Sequence, residues 1–144
     1  MTSEGREGGC QCGGIRYRVE GEPLVVAVCH CTECQRQSGS AFGMSLIVAR
    51  DAFQVEKGEL RMFTRPTDSG GTTDCYFCPD CGTRIVQQPS SMPKTCNIKP
   101  GTLDDTTALK PTLQVWLASK QPWTPLAEGL TNFTHNPTQA TRSD

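Results

Sequence analysis

Cysteine dominates the chemistry open to this chain: nine of its 144 residues are cysteines. Most fall into three compact motifs, Cys10-Gln-Cys12, Cys29-His-Cys31-Thr-Glu-Cys34 and Cys78-Pro-Asp-Cys81, with Cys75 and Cys96 outside them. An odd number of cysteines cannot pair completely within one chain. Residues 1–9 carry no apolar stretch of the kind a secretory leader needs, so the expected compartment is the reducing cytoplasm, where structural disulfides are rare. Clustered thiols in that setting point to metal. Zn²⁺ takes four soft ligands tetrahedrally, with sulfur at about 2.3 Å. Cys78-x-x-Cys81 supplies two from one tight turn, with Pro79 setting its first corner and Gly82 placed for a positive φ. Cys10-x-Cys12 supplies a second pair. Together these four predict a structural zinc knuckle that closes a long loop and so stabilises a small domain.

The middle motif predicts a different site. Cys29, Cys31 and Cys34 offer three thiolates in one short turn of chain. Three protein ligands plus one open position is the pattern of a catalytic zinc. Three thiolates leave the ion with a net negative charge, so it is a poor Lewis acid. It suits keeping a fourth, exogenous thiolate electron-rich, which makes thiol activation the expected chemistry. The same spacing also admits closure by Cys75, Cys96, His30 or His135, which would make a second structural site. Cys75 and Cys96 lie in candidate strands and read as small buried apolar residues. His30 sits between two ligands, so its ring is expected to point away from the metal, in a supporting or solvent-facing role.

These motifs need short, rigid elements to hold them. Alternation at Ile15, Tyr17 and Val19, at Met44, Leu46 and Val48, and at Phe53 and Val55 predicts half-buried strands. Further strands are expected near Leu60–Phe63, Thr72–Phe77, Arg84–Gln87, Thr95–Ile98 and Leu113–Leu117, with a continuous apolar strand at Leu24–Cys29. Helix signals are few. Thr32–Ser38 predicts one short helix, capped by Thr32 and stopped by Gly39, and Gly101–Asp105 predicts a tight turn. The expected fold class is mainly β, two packed antiparallel sheets of short strands with zinc knuckles and little helix. One domain over 9–130 is expected, with 1–8 and 131–144 as flexible ends.

Composition excludes several classes. Hydrophobic residues make up 35% and charged residues 20%, too apolar for a disordered chain. The longest apolar runs are a handful of residues, far short of the ~20 a spanning helix needs, so no membrane partner is expected. Lys plus Arg number 14 against 15 Asp plus Glu, and no basic surplus points to nucleic acid.

Taken in order, the motifs are Gly9-Cys-x-Cys-Gly13 with Ile15 and Tyr17, Cys29-His-Cys-x-x-Cys34 with Ser38-Gly-Ser-Ala-Phe42, Phe77-Cys-x-x-Cys-Gly-Thr83, Gly101-Thr-Leu-Asp-Asp105 and Trp123. In this order and spacing the chain resembles the glutathione-dependent formaldehyde-activating enzyme family, which includes the centromere protein V group. The resemblance implies a β-rich fold with two Zn²⁺ per chain. It places the structural zinc on Cys10, Cys12, Cys78 and Cys81, and a second, open zinc on Cys29, Cys31 and Cys34. The implied activity is that of a carbon–sulfur lyase joining glutathione, or a similar thiol, to formaldehyde as S-hydroxymethylglutathione. A C–S lyase for another conjugate and a non-enzymatic zinc interaction module are the alternatives the family allows. The chain departs from the pattern in the strand before Trp123, where a His is frequent and Leu113-Gln-Val-Trp-Leu117 stands instead. No set of thiol-binding residues carries over. Arg36, Ser38 and Arg61 are candidates by charge or proximity, and His30, Thr32 and Glu33 are the polar groups nearest the motif as possible proton acceptors.

Overall fold

A computed structural model of the chain describes residues 5–137, together with the backbone of a strand at Arg142–Ser143. Strand accounts for 41% and helix for 12%, which makes the protein mainly β, as the alternation predicts. The strands are β1 (Arg6–Gly9), β2 (Arg16–Val19), β3 (Val25–Cys29), β4 (Gly43–Ala49), β5 (Phe53–Lys57), β6 (Arg61–Pro66), β7 (Thr72–Phe77), β8 (Arg84–Pro89), β9 (Thr95–Ile98), β10 (Leu113–Val115), β11 (Thr131–Phe133) and β12 (Arg142–Ser143). One α-helix, α1 (Thr32–Ser38), follows β3. Contacts divide the chain into two compact units, Met1–Leu24 with Leu46–Ala108 and Val25–Ser45 with Leu109–Asp144.

In the first unit β1, β2 and β5 form an antiparallel three-stranded sheet. The period of two decides which side chains are buried. Ile15, Tyr17 and Val19 point inward, each at most 2% exposed. Arg16 and Arg18 point outward, where Arg16 pairs with Asp104 and Arg18 with Glu7 and Glu20. The Tyr17 ring packs on Phe53, and its hydroxyl lies 2.7 Å from Thr102 Oγ1. Burial pushes that phenol up to about 12, with the Thr102 contact acting in the opposite direction. The same unit holds an antiparallel run in which the C-terminal part of β4 pairs with β9, β9 with β8, β8 with β7 and β7 with β6. Leu46, Val48, Ile85 and Ile98 fill its core beside Cys75 and Cys96. Both of those cysteines are core residues, as expected, and burial pushes the Cys96 thiol up to about 11.

The second unit departs from the expectation of purely antiparallel sheets. β10 runs parallel to β3, with Val115 opposite Cys29, and β11 runs parallel to β10. Parallel neighbours need a crossover of a dozen or more residues, and residues 116–130 provide one between β10 and β11. The β10 strand also ends sooner than the sequence predicts. Trp116 turns into left-handed backbone at φ 60°, and Leu117–Ser119 forms a 3₁₀ turn. Three strands lie in or overlap the segments expected to be flexible ends: β1 begins at Arg6, β11 is anchored by buried Phe133, and β12 is Arg142–Ser143. The rest of that expectation, for Met1–Glu4 and for 138–141 and Asp144, lies outside the described residues.

The tightest approach in the first unit is at Gly8, which bridges to Leu103 and pairs with Tyr17. A Cβ there would collide with the Thr102 carbonyl oxygen and sit 2.5 Å from the Tyr17 hydroxyl. Gly101, one turn away, has open space at its Cβ position. Gly8→Ala is therefore expected to lower stability by roughly 2 kcal/mol. Gly101→Ala should stay within about 0.5 kcal/mol. Urea unfolding midpoints measure both, and equal midpoints would contradict the close approach at Gly8.

Candidate functional site

Two groups of sulfur atoms form, one in each unit. In the first unit the sulfurs of Cys10, Cys12, Cys78 and Cys81 all lie within 4.8 Å of one another. Cys10 and Cys12 sulfurs are 3.5 Å apart, and Cys12 and Cys78 sulfurs 3.8 Å. A tetrahedron with Zn–S bonds of about 2.3 Å has sulfur–sulfur edges of about 3.8 Å, so the donor set fits zinc. Local backbone builds it. Cys10 follows β1 in a turn closed by the Gly13 N–H on the Cys10 carbonyl, and the Ile15 N–H donates to the Cys10 sulfur at 3.2 Å. In the second turn Gly82 takes φ 79°, its N–H reaches the Cys78 carbonyl, and the Asp80 N–H donates to the Cys78 sulfur.

Hydrogen bonds divide the thiols by charge. The Thr83 hydroxyl, 3.2 Å from the Cys81 sulfur, and the Thr83 N–H hold that thiol down to about 5. At Cys12 the Gly14 N–H favours the thiolate, but the bonds to Cys10, Cys81 and Cys78 outweigh it and carry the thiol up to about 12. Four close sulfurs cannot all hold negative charge without a cation among them.

In the second unit the sulfurs of Cys29, Cys31 and Cys34 lie within 4.8 Å of one another. Cys29 is the last residue of β3, Cys31 is the N-cap of α1, and Cys34 sits in the first helical turn. The sequence predicts Thr32 as the cap; the structure gives the role to Cys31, whose sulfur accepts the Cys34 N–H at 3.3 Å. A thiolate serves there because the exposed amides of a helix start stabilise an anion as a cap oxygen would. The Gly39 stop is as expected, left-handed at φ 66° with its N–H on the Gln35 and Arg36 carbonyls. Bonds to Cys29 and Cys34, with further help from the Cys34 and Glu33 amides, lower the Cys31 thiol to about 2. The same neighbours, and then burial, push Cys29 far above the ordinary thiol range. Backbone also hems in the group: a Cβ on Gly43 would lie 3.0 Å from the Cys34 Cβ.

Among the described residues, no fourth Cys, His, Asp or Glu joins this group. Cys75 and Cys96 are core residues of the first unit. His135 packs its ring edge-on against Trp116. His30 is buried at 1% exposure, beside Phe42, with Nε2 3.0 Å from Gln114 Oε1. The Gln114 amide nitrogen donates to Asn132 Oδ1 and the Ala127 carbonyl. Its oxygen is therefore the acceptor, and His30 Nε2 carries the hydrogen. Thus Nε2 is committed to a protein partner, Nδ1 is buried without one, and the solvent-facing alternative for His30 is overturned by its burial. Gln114 stands in the strand where the sequence departs from the family pattern, and nothing in the sequence alone ties it to His30.

Gln35 is the other residue that sequence reasoning missed. Its amide nitrogen donates to the His30 carbonyl at 2.8 Å and the Ser119 carbonyl at 3.0 Å, while its oxygen accepts from Gln121. These bonds fix α1 to the loop that follows β10. The remaining sequence candidates separate. Thr32 and Arg36 line an open groove along α1, Ser38 spends its hydroxyl on the Gln35 and Phe42 carbonyls, and Arg61 lies on β6 in the first unit. Glu33 is exposed on the first helical turn.

A model of the glutathione-dependent formaldehyde-activating enzyme family matches residues 5–119, which include every cysteine of both groups. The chain belongs to this family. Within the family, a Penicillium rubens protein named as a candidate glutathione-dependent formaldehyde-activating enzyme is 31% identical over 78 residues. That match spans 53% of this chain and 40% of the Penicillium protein. The crystal structure of a Rhodobacter sphaeroides protein shares the fold, with a TM-score of 0.56 at 22% identity over 73% of this chain and 91% of the other.

Gln114→Leu keeps the volume of the side chain while stripping His30 Nε2 of its acceptor inside the fold. A buried donor left without a partner costs about 1–3 kcal/mol, and urea unfolding should show that loss. An unchanged midpoint would contradict the His30–Gln114–Asn132 chain.

Proposed function

We propose that Cys29, Cys31 and Cys34 hold an open zinc at which the protein works as a carbon–sulfur lyase-type enzyme. It joins glutathione, or a similar thiol, to formaldehyde as S-hydroxymethylglutathione, or cleaves a related adduct. Cys10, Cys12, Cys78 and Cys81 hold a second, structural zinc. The observation that carries this reading is the three-sulfur group with no fourth ligand among the described residues. Family membership supplies the substrate classes. Cysteines clustered at metal-ligand spacing fit a cytoplasmic setting.

Zinc held by three thiolates supplies a position where an incoming thiol sheds its proton and stays nucleophilic. The chain's own residues prepare that position. Amides at the start of α1 hold negative charge on Cys31, and the His30–Gln114 and Gln35–Ser119 bonds keep the Cys29–Cys34 turn in one shape. In the overall reaction the thiol sulfur bonds to the formaldehyde carbon, the C=O π bond opens, and the thiol proton ends on the new hydroxyl. Burial of Cys34 and His30 on one side leaves the reacting groups to approach from the side of exposed Thr32.

Cobalt in place of zinc tests the reading. Glutathione is expected to strengthen the sulfur-to-cobalt charge-transfer band of the wild type and to leave that of Cys31→Ser unchanged. Formaldehyde added next should weaken the band, and exchange NMR should show faster adduct formation with the protein than without it. A spectrum unmoved by small thiols would contradict the open site and favour a zinc module without catalysis.

A further inference from the structure

Strand β6 contributes to neither sulfur group. It is the outer strand of the antiparallel run β9, β8, β7, β6 in the first unit, and among the described residues it pairs with β7 alone. Register shows which of its backbone groups are spare. Antiparallel pairs alternate between those that exchange N–H···O=C bonds and those that do not. The hairpin closes with the Thr67 N–H on the Gly71 carbonyl, so the bonded pairs before it are Arg65 with Thr73, Phe63 with Cys75 and Arg61 with Phe77. Consistent with this, the carbonyl of Thr72, opposite Pro66, accepts from Ser90 and not from β6. The N–H and C=O groups of Met62 and Thr64 therefore point out of the sheet edge. Pro66 ends that edge with a carbonyl and no N–H to offer.

Side chains give the edge its character. Arg61, Phe63 and Arg65 share one side of β6, and Met62 and Thr64 the other. Met62 and Phe63 are each 45% exposed, so apolar surface shows on both sides. The Phe63 ring is held in place, edge-on to Phe77 and beneath the Arg84 guanidinium at 5.3 Å. Arginines thus flank and cover one exposed ring. No acid offsets them there: β6 and β8 contain none, and Asp74 of β7 lies on the other side, accepting from Thr64. Among the described residues no carboxylate pairs with Arg61 or Arg84, and Arg84 Nε is buried without a partner.

We propose that β6 is a docking edge for an extended acidic segment of another protein, which joins the sheet as a further strand. Backbone bonds to Met62 and Thr64 give the affinity, and side chains at alternate positions give the selectivity. The segment sets an acid opposite Arg61, an apolar residue opposite Phe63 and a second acid opposite Arg65. That order reads alike in both chain directions. Opposite charges facing across two strands attract, and like charges repel. A second copy of β6 fits less well. Antiparallel registers that oppose outward groups bring Arg61 against Arg65, Met62 against Pro66 with its missing N–H, or Thr64 against Leu60 outside the strand.

Hydrogen exchange followed by NMR, on the full zinc-loaded chain, tests the edge and its occupant together. Without a ligand, the Met62 and Thr64 amides are expected to exchange faster than those of Phe63 and Arg65. The probe is a short capped peptide in which glutamate, valine and glutamate alternate with threonine, and it should slow both outward amides. Lysine in place of both glutamates should weaken binding at least about 5-fold, since two exposed ion pairs become repulsions. Arg61→Ala should weaken the glutamate peptide about 2–5-fold and leave a glutamine version unchanged. Equal affinity for the glutamate and lysine peptides would overturn the charge pairing, and failure of the glutamate peptide to slow either amide would overturn the docking edge. Slow exchange at Met62 and Thr64 in the free monomer would show the edge already covered. Protection that grows with protein concentration alone would give it to a second copy, and either result would overturn the proposal.

Discussion

Mutual repulsion of thiolates is the constraint around which both sulfur groups are built. Sulfurs within 4.8 Å of one another cannot share full negative charge unless a cation sits among them or N–H groups point at them. The chain answers with backbone. Amides of Ile15 and Asp80 aim at the first group, and the amide of Cys34 at the second. Each of these donors is fixed by a turn or a helix start rather than by a flexible side chain. Backbone therefore fixes the ligand positions, and their sulfur spacing fits a small tetrahedral ion.

The two groups differ in what surrounds that common device. In the first, two tight turns bring paired cysteines face to face and complete a four-sulfur set, the arrangement of a staple. In the second, one strand end and one helix start bring three sulfurs together. Among the described residues the two histidines stand outside the set, His30 with Nε2 bonded to Gln114 and His135 packed on Trp116. Gln114 accepts from His30 Nε2, and its own amide is anchored by Asn132 and Ala127. This partner of His30 lies on a strand remote in sequence from the cysteines.

Much of this was legible in the residues. Short gaps put Cys10 with Cys12 and Cys78 with Cys81 on single turns, and the structure brings the sulfurs of these four together, as it does those of Cys29, Cys31 and Cys34. Alternation placed Thr72–Phe77 and Thr95–Ile98 at the bounds they adopt, because each strand buries one face and turns the other to solvent or to a neighbour. Three features were not legible. The cap at Cys31 is not visible in the sequence because oxygen caps are the ordinary signal and a thiol serves best where neighbours favour its thiolate. Parallel pairing of β3, β10 and β11 is a property of topology, and short strands carry no mark of direction. The roles of Gln35 and Gln114 arise from contacts across more than eighty residues of chain, which an amide side chain does not announce.

The claim at the centre is that one sulfur group is complete and the other lacks a ligand. X-ray absorption at the zinc edge, on protein purified without chelator, measures that directly. Seven cysteine sulfurs over two zinc ions give an average of three and a half sulfurs per zinc, the remainder being light atoms, and glutathione should raise the average to four. Four sulfurs per zinc before any thiol is added, or one zinc per chain, would contradict it.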